Sequence, residues 1–370
     1  MKIIKQLYKA SILSKLSLLV IACTLLLAVF AEAIIPDKTV DANKMILELG
    51  AKSPGFKKTV FKIPIQKNNT NRSVWSTFWY GEEAKWTYIP YNSISFLENE
   101  VMLQHYIDEA LEDTLKINYQ TILPTSKQSL SVAEKQAYIL SQHTETIHYL
   151  LGSDKYGRDI LSRLVLGSRV SLAVGIISVV LTLLLGISLG MLAGYFGGIT
   201  DKVIQFIISM IWAIPTLLLV FAITLSIGKG FWQLFIAIGC SMWVSTARLI
   251  RGHVMSLKQN DYITAARALG LSNWRIMYHH LLPNCSSIIL VMAASNFASA
   301  ILVEAGLSFL GIGIQAPQSS WGLMIKEQYN LIITDKAILA LLPGFAIMLL
   351  VYAFHILGNT LRDILDVKQN

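Results

Sequence analysis

The chain has 370 residues, 54% of them hydrophobic and only 15% charged, with a net charge of +8. Soluble domains are typically about 25% charged, so this composition excludes an ordinary soluble enzyme and indicates a membrane protein. The three cysteines (Cys23, Cys240 and Cys285) lie in or beside apolar runs without C-x-x-C spacing, which gives no sign of a zinc site or a disulfide framework.

Residues 1–15 carry Lys2, Lys5, Lys9 and Lys15 and no acid, and residues 16–35 are apolar apart from a few hydroxyls and Glu32. About 20 such residues cross a bilayer core. Ala31-Glu32-Ala33 has the small-x-small form of a signal cleavage site, but the apolar run exceeds the usual h-region of about 7–15 residues, so an uncleaved first span is expected. Between Pro36 and Arg163 the character changes, with 15 Lys/Arg balanced by 15 Asp/Glu. The first half shows turn and strand signals at Lys67–Asn71 and Trp75–Tyr80. From about 94 to 150, apolar positions at Leu97, Val101, Leu103, Ile107 and Leu111 predict helix. A small folded domain and a helical cap both fit. The segment has no catalytic signature and lacks the charge bias of a nucleic-acid surface.

Gly152-Ser153-Asp154, followed by Gly157-Arg158-Asp159, reads as a capped turn leading into a helix; Asp154 and Asp159 suit a helix start, and Arg158 with Asp159 reads as a structural ion pair. Apolar runs then follow at 170–193, 203–227, 231–244, 286–303 and 337–357. Gly186, Gly190 and Gly194 recur at four-residue spacing, a face that lets helix backbones approach closely in lipid. Pro215 removes one helix hydrogen bond from the third span, as a tolerated kink or as a bend lining a pathway. Glu304 lies about 20 residues beyond Pro283; at about 1.5 Å rise per residue it is expected near the far interface, as an interfacial acid.

The stretch 248–283 is a hydrophilic island between apolar segments. Asn260 or Asp261 is placed to cap a short helix, Gly270 to end it, Ser272 to cap a second, and Pro283 to mark the start of the next apolar run. Ala265, Ala266 and Ala268 leave one flank nearly bare, so that another protein can approach the backbone. Six spans put both termini on one side. The basic residues of this loop (Arg248, Arg251, Lys258, Arg267 and Arg275, against Asp261) make that side cytoplasmic, and the insert external.

The loop resembles the EAA loop of ABC-importer permeases, with Ala265, Ala266, Gly270, Leu282 and Pro283 on its register; Thr264 stands at the Glu and His280 at the Ile. Residues 152–159 are similar to the Gly-Thr-Asp-x-x-Gly-Arg-Asp signature of the dipeptide/oligopeptide/nickel branch, with Ser153 at the Thr. Trp321-Gly322 and the tail 358–366 resemble that branch too, with Val367 at the final Pro. The four blocks, in order over 150–370, identify a C-type permease. The resemblance implies an all-α integral membrane protein of six transmembrane helices, of the type I ABC-importer permease kind. The chain then comprises a cytoplasmic N-terminus (1–15), a first span (16–35), a large extracytoplasmic insert (36–166) that is long for this family, a five-helix core (167–358) and a tail (359–370). The resemblance also implies a coupling loop through which Asp261, Thr264, Ala265, Ala266, Arg267, Gly270, Arg275, Leu282 and Pro283 meet cytoplasmic ABC ATPase subunits. Thr264 removes a charge there, which shifts docking onto Arg267, Arg275 and the alanine face. The further partners implied are a second homologous permease, an extracytoplasmic solute-binding protein and membrane lipid, with no nucleic acid. No G-x-x-x-x-G-K-[ST] run occurs, so ATP is expected to be used by partner subunits, and neither a cofactor nor a metal in this chain. The alternative is a membrane-anchored sensor or assembly protein with an external domain, which would require neither the alanine loop nor the Gly-Arg-Asp motif.

Overall fold

A computed structural model describes residues 11–65, 73–108, 111–124, 127–128, 130–228 and 230–366. Lys2, Lys5, Lys9, the Lys67–Asn71 turn, Lys229 and Val367 lie outside the described residues. The chain runs α1 (Ile12–Val29), α2 (Ala31–Ile34), β1 (Phe56–Pro64), α3 (Val74–Tyr80), β2 (Trp86–Phe96), β3 (Glu100–Asp108), β4 (Leu111–Asn118), α4 (Tyr119–Ile122), α5 (Val132–Gln142) and β5 (Thr144–Tyr149). It continues with α6 (Ile160–Phe196), α7 (Gly198–Trp212), α8 (Thr216–Ile227), α9 (Phe231–Leu257), α10 (Asp261–Ala268), α11 (Asn273–Ile276), α12 (Leu282–Asn284), α13 (Ser286–Phe309), α14 (Trp321–Gln328) and α15 (Ala337–Asp366). Two compact units result: Met1–Val29 with Gly167–Lys326 and Pro343–Asn370, and Phe30–Leu166 with Glu327–Leu342.

The first unit is helical. Among the described residues, five helices are long and apolar enough to cross a membrane: α1, α6, α9, α13 and α15. The expected third span is not one helix. It breaks into α7 and α8, which meet at 92°. Pro215 lies at the break, since it has no N–H to continue the ladder and biases the preceding residue away from helix. This is far more than a tolerated kink. The glycines of α6 lie against α9: a Cβ at Gly186 would sit 2.6 Å from Thr246 Cβ, at Gly190 2.5 Å from the Ala247 carbonyl, and at Gly194 2.8 Å from the Arg251 carbonyl. Asn296 of α13 donates to Thr246 Oγ1 of α9 at 3.0 Å, a buried side-chain bond between helices. The expected polar tail is a continuation of α15 as far as Asp366.

The second unit corrects the all-α expectation. Its core is a five-stranded antiparallel sheet in the order β4-β3-β2-β1-β5. The positions read above as helical fall in strands or strand ends. Val101 and Leu103 are buried at a spacing of two, whereas Leu97, Ile107 and Leu111 are exposed. Alternation along β3, not a 3.6-residue period, therefore describes the segment. Conversely, Trp75–Tyr80, read as a turn or strand signal, is helical. Helix α5 opens with a reciprocal cap between Ser131 and Glu134 and packs Ile139 into the apolar centre formed by Phe61, Val101, Leu103 and Ile117.

His143, at the C-terminal end of α5, is stacked against Phe61 and edge-on to Trp86, and its Nδ1 lies 2.8 Å from the Lys62 carbonyl. Burial pushes its pKa below the ordinary value, with a smaller opposing effect from the Lys62 carbonyl. A depressed histidine contributes stability that is present above the unfolded pKa, about 6.5, and lost as pH falls through the folded one. Thermal melts of the full chain in detergent between pH 7.5 and 5 are therefore expected to show the sheet unit weakening on acidification. His143→Phe should flatten that slope even if it lowers the melting temperature throughout.

Candidate functional site

Two constellations carry the sequence motifs, one in each unit. In the helical unit, the chain after α9 folds back on the ends of α6 and α9. Ile263, Ala266, Ile276, Met277, Leu281 and Cys285 are buried in one cluster with Met191, Tyr195, Ile250 and Val254. The loop is thus a folded platform. Helix α10 ends as expected: Gly270 takes φ +76°, its N–H bonds the Arg267 carbonyl, and the Leu271 N–H bonds the Ala266 carbonyl. Ser272 Oγ accepts the Arg275 N–H. The start of α10 differs, because neither Asn260 nor Asp261 makes a side-chain capping bond. A wider π turn at Met277–Leu281 precedes Pro283, which has no N–H to complete an α-helical turn.

The three alanines do not share one flank. Ala266 is only 5% exposed and packs inward with Ile263, three residues before it. Ala265 and Ala268, also three apart, face outward with Thr264. Beyond them stand groups that the spacing argument passed over: Leu269, 82% exposed, and the stacked pair Trp274 and Tyr278 at 6.1 Å. An i, i+4 aromatic pair in an otherwise polar loop was the available signal. Arg267 and Arg275 are both exposed; Arg267 lies over the Tyr195 ring at 5.2 Å, and Tyr195 donates to Asn273 Oδ1 at 2.8 Å. Arg251 makes two 2.6 Å bonds to Asp201, a fork that fixes the end of α9 to the first turn of α7. Leu282 is half-buried and Pro283 exposed.

At the other end of α13, Glu304 is enclosed by protein where an acid open to the interface was expected. It is fully buried, accepts from Ser308 Oγ at 2.7 Å, and Ser308 in turn accepts the Ile314 N–H at 3.1 Å. Trp321-Gly322 supports the same corner: Trp321 covers Gly167, and a Cβ on Gly322 would sit 2.6 Å from Ala305 Cα.

In the sheet unit, residues 152–159 form a buried polar turn ahead of α6. Gly152 and Gly157 have φ of +85° and +73°, and a Cβ on Gly157 would overlap the Ile46 carbonyl. Ser153 Oγ donates to the Leu49 carbonyl and accepts the Lys52 N–H. Asp154 accepts the N–H groups of Tyr156 and Arg158 and pairs with Arg158 Nε at 2.6 Å. Arg158 is therefore not the partner of Asp159, as expected above, but of Asp154 and of Glu327 at 2.7 Å; Glu327 also receives Arg163 at 3.1 Å. Asp159 instead caps α6 through the Ser162 N–H and Oγ, while Ser162 Oγ accepts the Asp37 N–H. Burial holds the Asp159 carboxyl above its ordinary range, opposed by those Ser162 bonds. Among the described residues, no group of three or more His, Cys, Asp or Glu could hold a metal ion.

A bundle of long apolar helices with a polar loop folded onto two of its ends is the architecture of a multi-pass membrane protein. The chain belongs to the family of binding-protein-dependent transport system inner membrane components, matched over residues 186–369, and is a permease subunit of the dipeptide/oligopeptide ABC-importer type. It is 33% identical over 306 residues to the glutathione transport system permease protein GsiD of Pectobacterium atrosepticum, covering 83% of this chain and 95% of that one. It is 42% identical over 217 residues to the dipeptide transport system permease protein DppC of Alkalihalophilus pseudofirmus, covering 59% and 71%. A chain of the inward-facing MetNI methionine ABC transporter superposes with a TM-score of 0.47 at 19% identity, covering 55% of this chain and 97% of that one. The sensor or assembly-protein alternative has no counterpart in these relatives.

Glu327 is the carboxylate shared by two fully buried arginines, so Glu327→Gln takes one negative charge away from both of them. Breaking one partner of a buried pair typically costs about 3–5 kcal/mol. A fall of many degrees in the melting temperature of the purified chain is expected, and wild-type melting would refute the role.

Proposed function

We propose that this permease forms half of a translocation pathway for small peptides, paired with a second, homologous permease and driven by separate ATPase subunits. The peptide class rests on the named transport systems of its relatives, GsiD and DppC. With the bent pair α7–α8 taken as one crossing, the reading has six spans, with both termini and the basic 248–283 loop cytoplasmic and the sheet unit outside; the basic charge of that loop supports this orientation. An external solute-binding protein would deliver the peptide, and the sheet unit offers it a surface.

The observation that carries the coupling role is the division of the loop into two faces. Ile263, Ala266, Ile276 and Leu281 hold it to the ends of α6 and α9, while Ala265, Ala268, Leu269, Trp274 and Tyr278 are presented outward. An apolar tip at the Gly270-capped end of a short helix suits insertion into a groove of a partner. Displacement of that tip would be passed to α6 and α9 through the buried cluster, because packed cores transmit rather than absorb strain. Arg267, exposed above the Tyr195 ring, and Arg275 stand beside this tip as the cationic groups for an ATPase contact.

The test is purification of the tagged chain from its native membrane in mild detergent, with mass spectrometry of the associated proteins. Recovery of a second permease and of P-loop ATPases is expected. Leu269→Glu or Ala265→Arg, both at exposed positions, should remove the ATPases and lower transport at least tenfold, about 1.4 kcal/mol of docking energy. The melting temperature should be unchanged. A stable chain that retains its ATPases with either substitution would sink the coupling role.

A further inference from the structure

Helix α3 reads Val74-Trp75-Ser76-Thr77-Phe78-Trp79-Tyr80 and contains no charge. Trp75 is 73% and Tyr80 67% exposed, and Trp79 is exposed beside them. Exposed aromatics on an uncharged turn are costly in water, so the position of this helix along the chain matters.

Its position is tied to the end of the first span. Helix α1 has 18 residues, a rise of about 27 Å, which nearly fills a hydrocarbon core of about 30 Å. Val29 therefore lies at the boundary of the core, and α2 begins two residues later. Four residues of chain reach at most about 14 Å, so α2 stays close to the membrane–water interface whatever direction it takes. Within the sheet unit, α3 packs against α2. The segment following α3 is fastened to the segment following α2: the Glu82 N–H bonds the Lys38 carbonyl at 2.7 Å, and the Val40 N–H bonds the Glu82 carbonyl at 3.0 Å. Phe30, just before α2, and Ile34, its last residue, are also exposed.

The chemistry fixes the depth. Between α2 and α3 lies a cavity of about 320 Å³ bordered by Glu32, Lys38 and Glu82, charges of both signs that belong among lipid headgroups rather than in hydrocarbon. Tryptophan and tyrosine favour that same layer, with the ring in the acyl boundary and the polar tip in the headgroups.

We propose that α3 is a membrane-surface anchor: its aromatic face, with Trp75 and Tyr80 foremost, lies in the interfacial layer of the leaflet reached by the C-terminal end of α1, and the partner is phospholipid. The anchor requires α1 to be a span and nothing else of the importer reading. It ties the sheet unit to the bilayer at a second place besides the chain itself, limiting how far that unit can lift away.

The experiment uses the full chain in lipid nanodiscs with Cys23, Cys240 and Cys285 replaced by serine, and a nitroxide at Trp75→Cys, Tyr80→Cys or, as a water-exposed reference on β4, Lys116→Cys. The ratio of collision with oxygen to collision with a water-soluble nickel chelate is measured at each. A ratio several-fold higher at 75 and 80 than at 116 is expected. Equal ratios at the three sites would overturn the anchor, as would nickel access at 75 and 80 that is lost only when a solute-binding protein is added, which would make the face a protein-docking surface. Quenching by lipids brominated near the headgroup is a second reading on the otherwise native chain. It should be reduced in Trp75→Phe/Trp79→Phe, and identical quenching of the variant and wild type would count against the anchor.

Discussion

The backbone contact between α6 and α9 is the constraint on which the helical unit rests. Lipid supplies no hydrophobic force to drive helices together, so their association depends on close packing and a few buried polar bonds. Gly186, Gly190 and Gly194 provide the packing, with the α9 backbone where their side chains would be. The same approach brings Met191 and Tyr195 level with Ile250 and Val254, and that patch is where the polar loop is seated. A larger residue on the glycine face would part the helices and remove the seat of the loop.

A different force organises the turn before α6. Two arginines and two carboxylates are taken out of water together there, a costly arrangement that holds only while each charge keeps its partner. Such a cluster adds little net stability over an apolar core, but its geometry is demanding: Asp154 must bind two N–H groups and a guanidinium at once, and Glu327 must bridge two arginines. Its effect is to specify one arrangement of the 152–159 turn at the start of the longest helix.

The sheet unit shows how far local pattern can mislead. Leu97, Val101, Leu103, Ile107 and Leu111 satisfy a loose helical spacing when counted as apolar letters, yet only Val101 and Leu103 are buried, and they alternate along a strand. Strand pairing is non-local, and β1 finds β5 some 80 residues later, so nothing within the window distinguishes a helix from two strands joined by a turn. Residues 75–80 failed in the opposite direction, because aromatic-rich runs favour strands on average but here form one short helix.

The chain's composition and the order of its apolar runs determined that this is a multi-pass membrane protein, and motif register determined its family, because span length and loop spacing are local, one-dimensional properties. Two caps of the loop were legible for the same reason: Gly270, which ends α10, and Ser272, which opens α11, act within a few residues of themselves. Tertiary structure alone decided which side of α10 is buried, that Arg158 reaches Glu327 rather than its neighbour Asp159, and that Glu304 is enclosed. Each of these depends on what another part of the chain, tens or hundreds of residues away, places against the residue in question, and no spacing along the sequence encodes that neighbour.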